Sequence, residues 1–121
     1  MRTDPRKLLH DILTYREEIR QFTAGMGRQQ WFTDLRTRRA VERDFAIIGE
    51  AMKRLRDHHP ELAERIAEKS KITGFRDKLI HDYDEIDPEI VWRAIIDDLP
   101  TLDTSIQDLM AELDPEQIKD N

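Results

Sequence analysis

Apolar residues recur at spacings of three and four along most of this chain, and helix-start and helix-stop residues punctuate the pattern. Thr3-Asp4-Pro5 supplies a capping residue and a proline at the first helical position. Leu8, Leu9, Ile12, Leu13, Ile19 and Phe22 then follow at helical spacing, with Arg16 the one polar residue on the stripe. Gly25 and Gly27 end that helix, and the short segment "RQQWFTD" is expected to tuck Trp31 and Phe32 onto a core. A second long helix is predicted from about Leu35 to Asp57, with Val41, Phe45, Ile48, Met52 and Leu55 buried. Gly49 lies inside it, a cost to the helix unless a neighbouring backbone packs closely.

Pro60 breaks the pattern, and a short helix is predicted from Glu61 to Lys69. Ser70 or Thr73 can cap the next helix, which carries "FRDKLIHDY". Asp87 and Pro88 open the last long helix, whose face is Ile90, Val91, Ala94, Ile95 and Leu99. Pro100 should kink that helix without stopping it, because Leu102, Ile106, Leu109 and Leu113 resume the repeat. No segment shows strand alternation. The predicted fold is all-α, an up-and-down bundle of four main helices plus short ones, over residues 1–113, with a polar tail over 114–121.

Composition narrows the function classes. There is no cysteine, which excludes a disulfide framework and a Cys-based zinc site. The charged N-terminus has no signal-peptide apolar core and no run reaches membrane-spanning length, so a soluble, cytoplasmic protein is expected. The net charge of −6 argues against a general nucleic-acid coat but leaves room for a local basic site. Two small basic clusters stand out, Arg36 to Arg39 ("RTRR") and Arg54 to Arg56 ("RLR"), and such clusters are ordinarily solvated helix faces.

The stretch "RDKLIHDY", Arg76 to Tyr83, holds a guanidinium, an imidazole and a phenol within eight residues. On a helix Asp77 and His81 are neighbours four apart, so the carboxylate can fix the tautomer of the ring and leave its other nitrogen free for proton transfer. Arg76 and His81 stand about 140° apart around the axis. A second copy of the helix, related by a two-fold axis, would gather two of each in one cleft. Arginine plus histidine without a metal suits RNA cleavage by the internal 2′-hydroxyl: histidine moves the proton and arginine stabilises charge on phosphorus oxygens. By spacing alone the same residues also fit salt bridges and packing, with Tyr83 half-buried at a helix end. His10, His58 and His59 have no partner at a metal-ligand spacing and read as exposed or capping histidines.

"FRDKLIHDY" resembles the Arg-x4-6-His-x-Tyr signature of HepT-like toxins in the HEPN superfamily. "DPRKLLHDILTYREEI" is similar to that family's opening helix, "AVERDFAIIGEAMKRL" to its segment carrying Gly-Glu-Ala, and "DPEIVWRAIIDDLPTL" to its closing helix. The resemblance spans about residues 3 to 113. It implies a HEPN-like helical homodimer acting as a metal-independent endoribonuclease on RNA, without a cofactor. It also implies the toxin role in a type VII toxin–antitoxin pair, whose MntA-like minimal nucleotidyltransferase partner silences it by AMP transfer to the motif tyrosine. Residue by residue, Arg76 and His81 take the catalytic roles, Asp77 the supporting polar position and Tyr83 that of the modified residue. Glu50, in the Gly-Glu-Ala run, reads equally as a support to the site and as an ordinary salt-bridge residue. The lead-in "AERIAEKSKITGFRD" lacks the Pro and Trp of many relatives, and Phe75 stands where Met is common, which bears on how the motif helix packs. A binding module that holds the nucleotidyltransferase without cleaving RNA is the alternative reading.

Overall fold

The computed structural model describes residues 4–66 and 86–113, and these contain helices and no strand. Helix α1, Pro5–Phe22, starts where the Asp4 carboxylate accepts the Arg6 backbone N–H and Pro5 holds the first helical position. It buries Leu8, Leu9, Ile12 and Ile19, while Leu13 is partly buried and Phe22, at the last turn, is exposed. The chain then turns through Gly25, whose φ of 71° is a conformation that glycine adopts without Cβ strain.

The short helix α2, Arg28–Thr33, places Trp31 fully in the core. Its first turn is secured by Gln30, whose side-chain oxygen accepts the Gly27 N–H at 2.9 Å. Its carbonyl end is closed by Arg38, which donates to the Trp31 and Phe32 carbonyl oxygens at 3.0 and 2.6 Å. Those carbonyls would otherwise be among the orphan acceptors of a helix end.

Helix α3, Leu35–His58, is the longest among the described residues. Asp34 caps it, its carboxylate taking the Thr37 N–H at 3.0 Å and the Thr37 hydroxyl at 2.7 Å. All five expected core residues, Val41, Phe45, Ile48, Met52 and Leu55, are buried, and so is Gly49. Each such aliphatic or aromatic side chain contributes about 1.5–3 kcal/mol by leaving water. Pro60 opens α4, Pro60–Ala63, which is shorter than the expected Glu61–Lys69 helix: a turn follows at 64–65, and residues 67–69 lie outside the described part.

The last helical stretch begins with α5, Pro88–Arg93, capped by Asp87 through the Glu89 N–H at 2.9 Å. It continues through a π turn, Ala94–Asp98, into α6, Leu99–Leu113. In the π turn the Leu99 N–H donates to the Ala94 carbonyl, five residues back. The irregularity expected at Pro100 therefore sits one turn upstream. Pro100 has no N–H for the carbonyl four residues back, and its ring needs room there, which a widened turn provides. Ile90 is a correction to the expected face. It is 48% exposed, because it lies about 100° around the helix from the buried Val91 and in the first turn.

Helix α1 lies between α3 and α6 as the shared packing partner, α4 folds back on α3, and α2 bridges α3 and α5. Three of the four expected long helices are thus in place. The fourth, carrying the motif, and the tail over 114–121 fall outside the described residues.

Candidate functional site

Arg76, Asp77, His81 and Tyr83 lie within residues 67–85, outside the described part of the structure. What the structure shows is how the chain is held on either side of that segment. On the entry side Ile66 is buried in the core just after α4. On the exit side Ile86 packs partly buried against the same core, and α5 begins five residues after Tyr83.

The start of α5 is tied to α2 by several contacts. The Trp31 indole N–H donates to the Pro88 carbonyl at 2.9 Å. The Trp31 and Trp92 rings are 5.7 Å apart between centroids. Arg28 donates to Glu89 Oε1 at 2.9 Å and lies 5.0 Å over the Phe32 ring. The Arg28 guanidinium holds the Glu89 carboxyl below its ordinary range, and Arg93 adds to the effect. A buried indole N–H without an acceptor would be costly, so Trp31 fixes the position of Pro88 and not merely its proximity.

Two polar arrangements join the helices elsewhere. Arg16, the polar entry on the α1 stripe, reaches α6, with Nη2 2.8 Å from Asp103 Oδ1, and donates to Glu17 at 2.9 Å. Arg20 also bonds Glu17, and its guanidinium lowers that carboxyl to about 2. Arg16, Arg20 and Asp103 rim a cleft of about 250 Å³ floored by Ile19, Ile95, Leu99 and Pro100.

The second arrangement was not read from the sequence. Asp44 of α3 is only 2% exposed and faces Glu18 of α1. Burial pushes its carboxyl up to about 7, with Glu18 adding repulsion and a shared hydrogen bond, and Arg43 opposing. Two ionised carboxylates have no donor between them, so the contact is a hydrogen bond only while one holds a proton. The available signal was positional: Asp44 falls three after Val41 and four before Ile48, on the apolar face.

Glu50 lies 3.6 Å from Arg54 in an i,i+4 ion pair. His10 is exposed, and His58 and His59 are partly buried at the end of α3. Among the described residues no group of three or more His, Asp or Glu could hold a metal ion, and no helix is long and apolar enough to cross a membrane.

The helices and the sequence between them define a class, the HEPN-like all-α domains. A family model described as "Ribonuclease HepT-like" matches residues 12–109, and the chain belongs to that family. "Putative RNase MJ0127" of Methanocaldococcus jannaschii is 33% identical over 113 residues, covering 93% of each chain. "Probable ribonuclease HepT" of Thermococcus cleftensis is 33% identical over 106 residues, 84% of this chain and 92% of the relative. A third, "Gamma-glutamylcyclotransferase and putative RNase MJ0434" of Methanocaldococcus jannaschii, is 34% identical over 114 residues, which are 94% of this chain and 51% of that protein. No solved structure matches.

Proposed function

We propose that the protein is a metal-independent endoribonuclease and the toxin of a type VII HEPN/MNT toxin–antitoxin pair. The observation that carries the reading is the coincidence of two things: a HepT-like match over residues 12–109, and an unbroken Arg76-x4-His81-x-Tyr83 inside it. In this reading residues 1–113 form the working domain and 114–121 a polar tail. Two protomers pair so that both motif helices serve one cleft.

The chemistry needs only the RNA and these side chains. His81, held in one tautomer by Asp77, removes the proton of a 2′-hydroxyl. The new O2′–P bond forms as the P–O5′ bond breaks, and the leaving oxygen takes up a proton. Arg76 stabilises the negative non-bridging oxygens through paired N–H donors. The products are a 2′,3′-cyclic phosphate and a 5′-hydroxyl. Tyr83, two residues after His81, is the acceptor of AMP from a MntA-like nucleotidyltransferase. The added phosphate competes for Arg76 and repels substrate.

The test is cleavage of a defined RNA by the parent and by Arg76→Ala and His81→Ala. Each variant should lose at least about 100-fold in kcat/KM with its helical content unchanged, and activity should survive EDTA. A strict Mg²⁺ requirement, or 3′-monophosphate ends from the start of the reaction, defeats the mechanism. Tyr83→Phe should cleave normally and escape silencing by the coexpressed transferase. Equal silencing of Tyr83→Phe, with no AMP on Tyr83 by peptide mass spectrometry, removes the modification from the reading.

A further inference from the structure

The basic cluster "RTRR" separates into two roles once α3 is in place. Arg38 turns toward α2 and closes its carbonyl end. Arg36, Arg39 and Arg43 are exposed, on the side of α3 away from Val41, Phe45 and Ile48. They fall within an arc of about 60° and about 10 Å of helix length. Arg39 pairs with Glu42 at 2.9 Å, while among the described residues Arg36 and Arg43 have no acidic partner within ion-pair distance.

This placement works against the helix itself. Arg39 and Arg43 are a like-charge i,i+4 pair, and Arg36 and Arg39 a like-charge i,i+3 pair, both destabilising in an isolated helix. Arg36 stands in the first turn, where the macrodipole disfavours cations and only the capping Asp34 carboxylate, already bonded to Thr37, offsets it. An ordinary solvated face would intersperse acids at these spacings, and this chain has 26 Asp and Glu with which to do so. It does so for Arg39 with Glu42, and elsewhere in Lys7–Asp11 and Arg54–Glu50, but Arg36 and Arg43 have no acid three or four residues away. Arg36 and Arg43, exposed and outside any ion pair among the described residues, leave a local excess of guanidinium charge on a chain of net charge −6, which is matched to a polyanion.

We infer that the Arg36–Arg39–Arg43 face of α3 is a phosphate-backbone contact for RNA, a surface that grips the strand outside the catalytic motif. The inference rests on the ribonuclease reading for the identity of the polyanion. Guanidinium groups there contact phosphates and not base edges, so the grip is sequence-independent and salt-sensitive. It sets KM for long RNA and leaves the chemical step alone.

The experiment uses a 2′-O-methyl RNA 20-mer, which cannot be cut because it lacks the attacking hydroxyl. Its binding to the full chain is followed by fluorescence anisotropy across a salt series. The variant R36Q/R39Q/R43Q should bind at least about ten-fold more weakly at 0.1 M salt, and the slope of log Kd against log salt should fall by about 2, at roughly 0.7 per lost single-strand phosphate contact. R36K/R39K/R43K should retain most of the affinity. R6Q/K7Q/R56Q removes the same charge elsewhere and should bind like the parent. On unmodified RNA the glutamine variant should keep kcat and raise KM. The inference is overturned if the parent does not bind the 20-mer. It is also overturned if the control variant weakens as much as the α3 variant, or if the α3 variant binds RNA normally but loses a protein partner. If the parent binds but cleaves no unmodified RNA, the catalytic reading fails while the binding result still stands for α3.

Discussion

Replacing Asp44 with Asn should stabilise the fold, and by more at pH 8 than at pH 5. In the folded protein the Asp44 carboxyl titrates at about 7, against an ordinary value of 3.8. The causes are burial first, then the charge of Glu18, with Arg43 on the same helix acting the other way. A raised folded-state pKa means that the folded chain holds a proton that the unfolded chain has released. Stability from this site is therefore fully present below about pH 4 and is lost as pH rises to about 7. Two pH units between 5 and 7, at about 1.4 kcal/mol per unit, set a ceiling of about 3 kcal/mol. Glu18 is partly exposed, so water screens its share, and a gain of about 1–2 kcal/mol between the two pH values is the working expectation. Asn keeps the size of the side chain, cannot ionise, and offers an N–H₂ donor to Glu18 at every pH. The assay is urea unfolding of parent and variant at pH 5 and pH 8 and fixed protein concentration, since association alters apparent stability. Taking the difference between variants cancels the other carboxylates, such as Glu17 and Asp34, which destabilise the fold in acid. A gain identical at both pH values, or a loss at pH 8, refutes a proton shared at this contact. Glu18→Gln should compress the pH dependence of the parent in the same direction.

Three further outcomes follow from the packing. Arg16→Met and Asp103→Asn in a double-mutant cycle should show a coupling of about 1 kcal/mol, because the pair bridges α1 and α6 with both side chains largely covered; an additive cycle removes the bridge from the account. Trp31→Phe should cost about 1–3 kcal/mol by leaving the Pro88 carbonyl without its donor, and should alter the near-UV dichroism of the Trp31–Trp92 pair; unchanged melting argues that the carbonyl finds water. Asp34→Ala should cost about 1 kcal/mol as the α3 cap is lost, measured by thermal melting at pH 7; because Thr37 holds the Asp34 carboxyl below its ordinary range, the difference should be undiminished at pH 5 and shrink only as acid protonates the folded-state cap, below its ordinary value.

Much of the fold was legible in the sequence because helices announce both their ends and their faces. Asp4-Pro5 and Asp87-Pro88 both cap as expected, and the α3 stripe from Val41 to Leu55 is buried throughout. Trp31 was placed on the core together with Phe32 as the aromatic pair of a short polar segment, although its hydrogen bond to Pro88 depends on tertiary contact that no local pattern encodes. Ile90 was misplaced because an apolar residue at the edge of a stripe has the same spacing signal as one at its centre. Asp44 was overlooked because a lone acid among charged neighbours looks like surface until the facing helix is known. The motif over Arg76 to Tyr83 lies outside the described residues. Its roles came from residue chemistry and family resemblance, and the family is now established, while the geometry of Arg76, His81 and Tyr83 is a matter for the nuclease and AMP-transfer assays.

The π turn at Ala94–Asp98 also sets the phase of the apolar repeat. The buried positions along this last helical stretch are Val91, Ala94, Leu99, Leu102, Ile106 and Leu109. Their spacings are 3, 5, 3, 4 and 3, an α repeat with one residue too many at its second interval. Remove one residue there and the series becomes 3, 4, 3, 4, 3, the unbroken beat of an ordinary helix. The bulge thus absorbs one residue beyond the α repeat: Asp97 remains in water, and Leu99, Leu102, Ile106 and Leu109 stay in phase and buried in a helix that packs on α1. A homologue one residue shorter between Ala94 and Leu99, and without a proline at the position of Pro100, would share this core with no bulge at all.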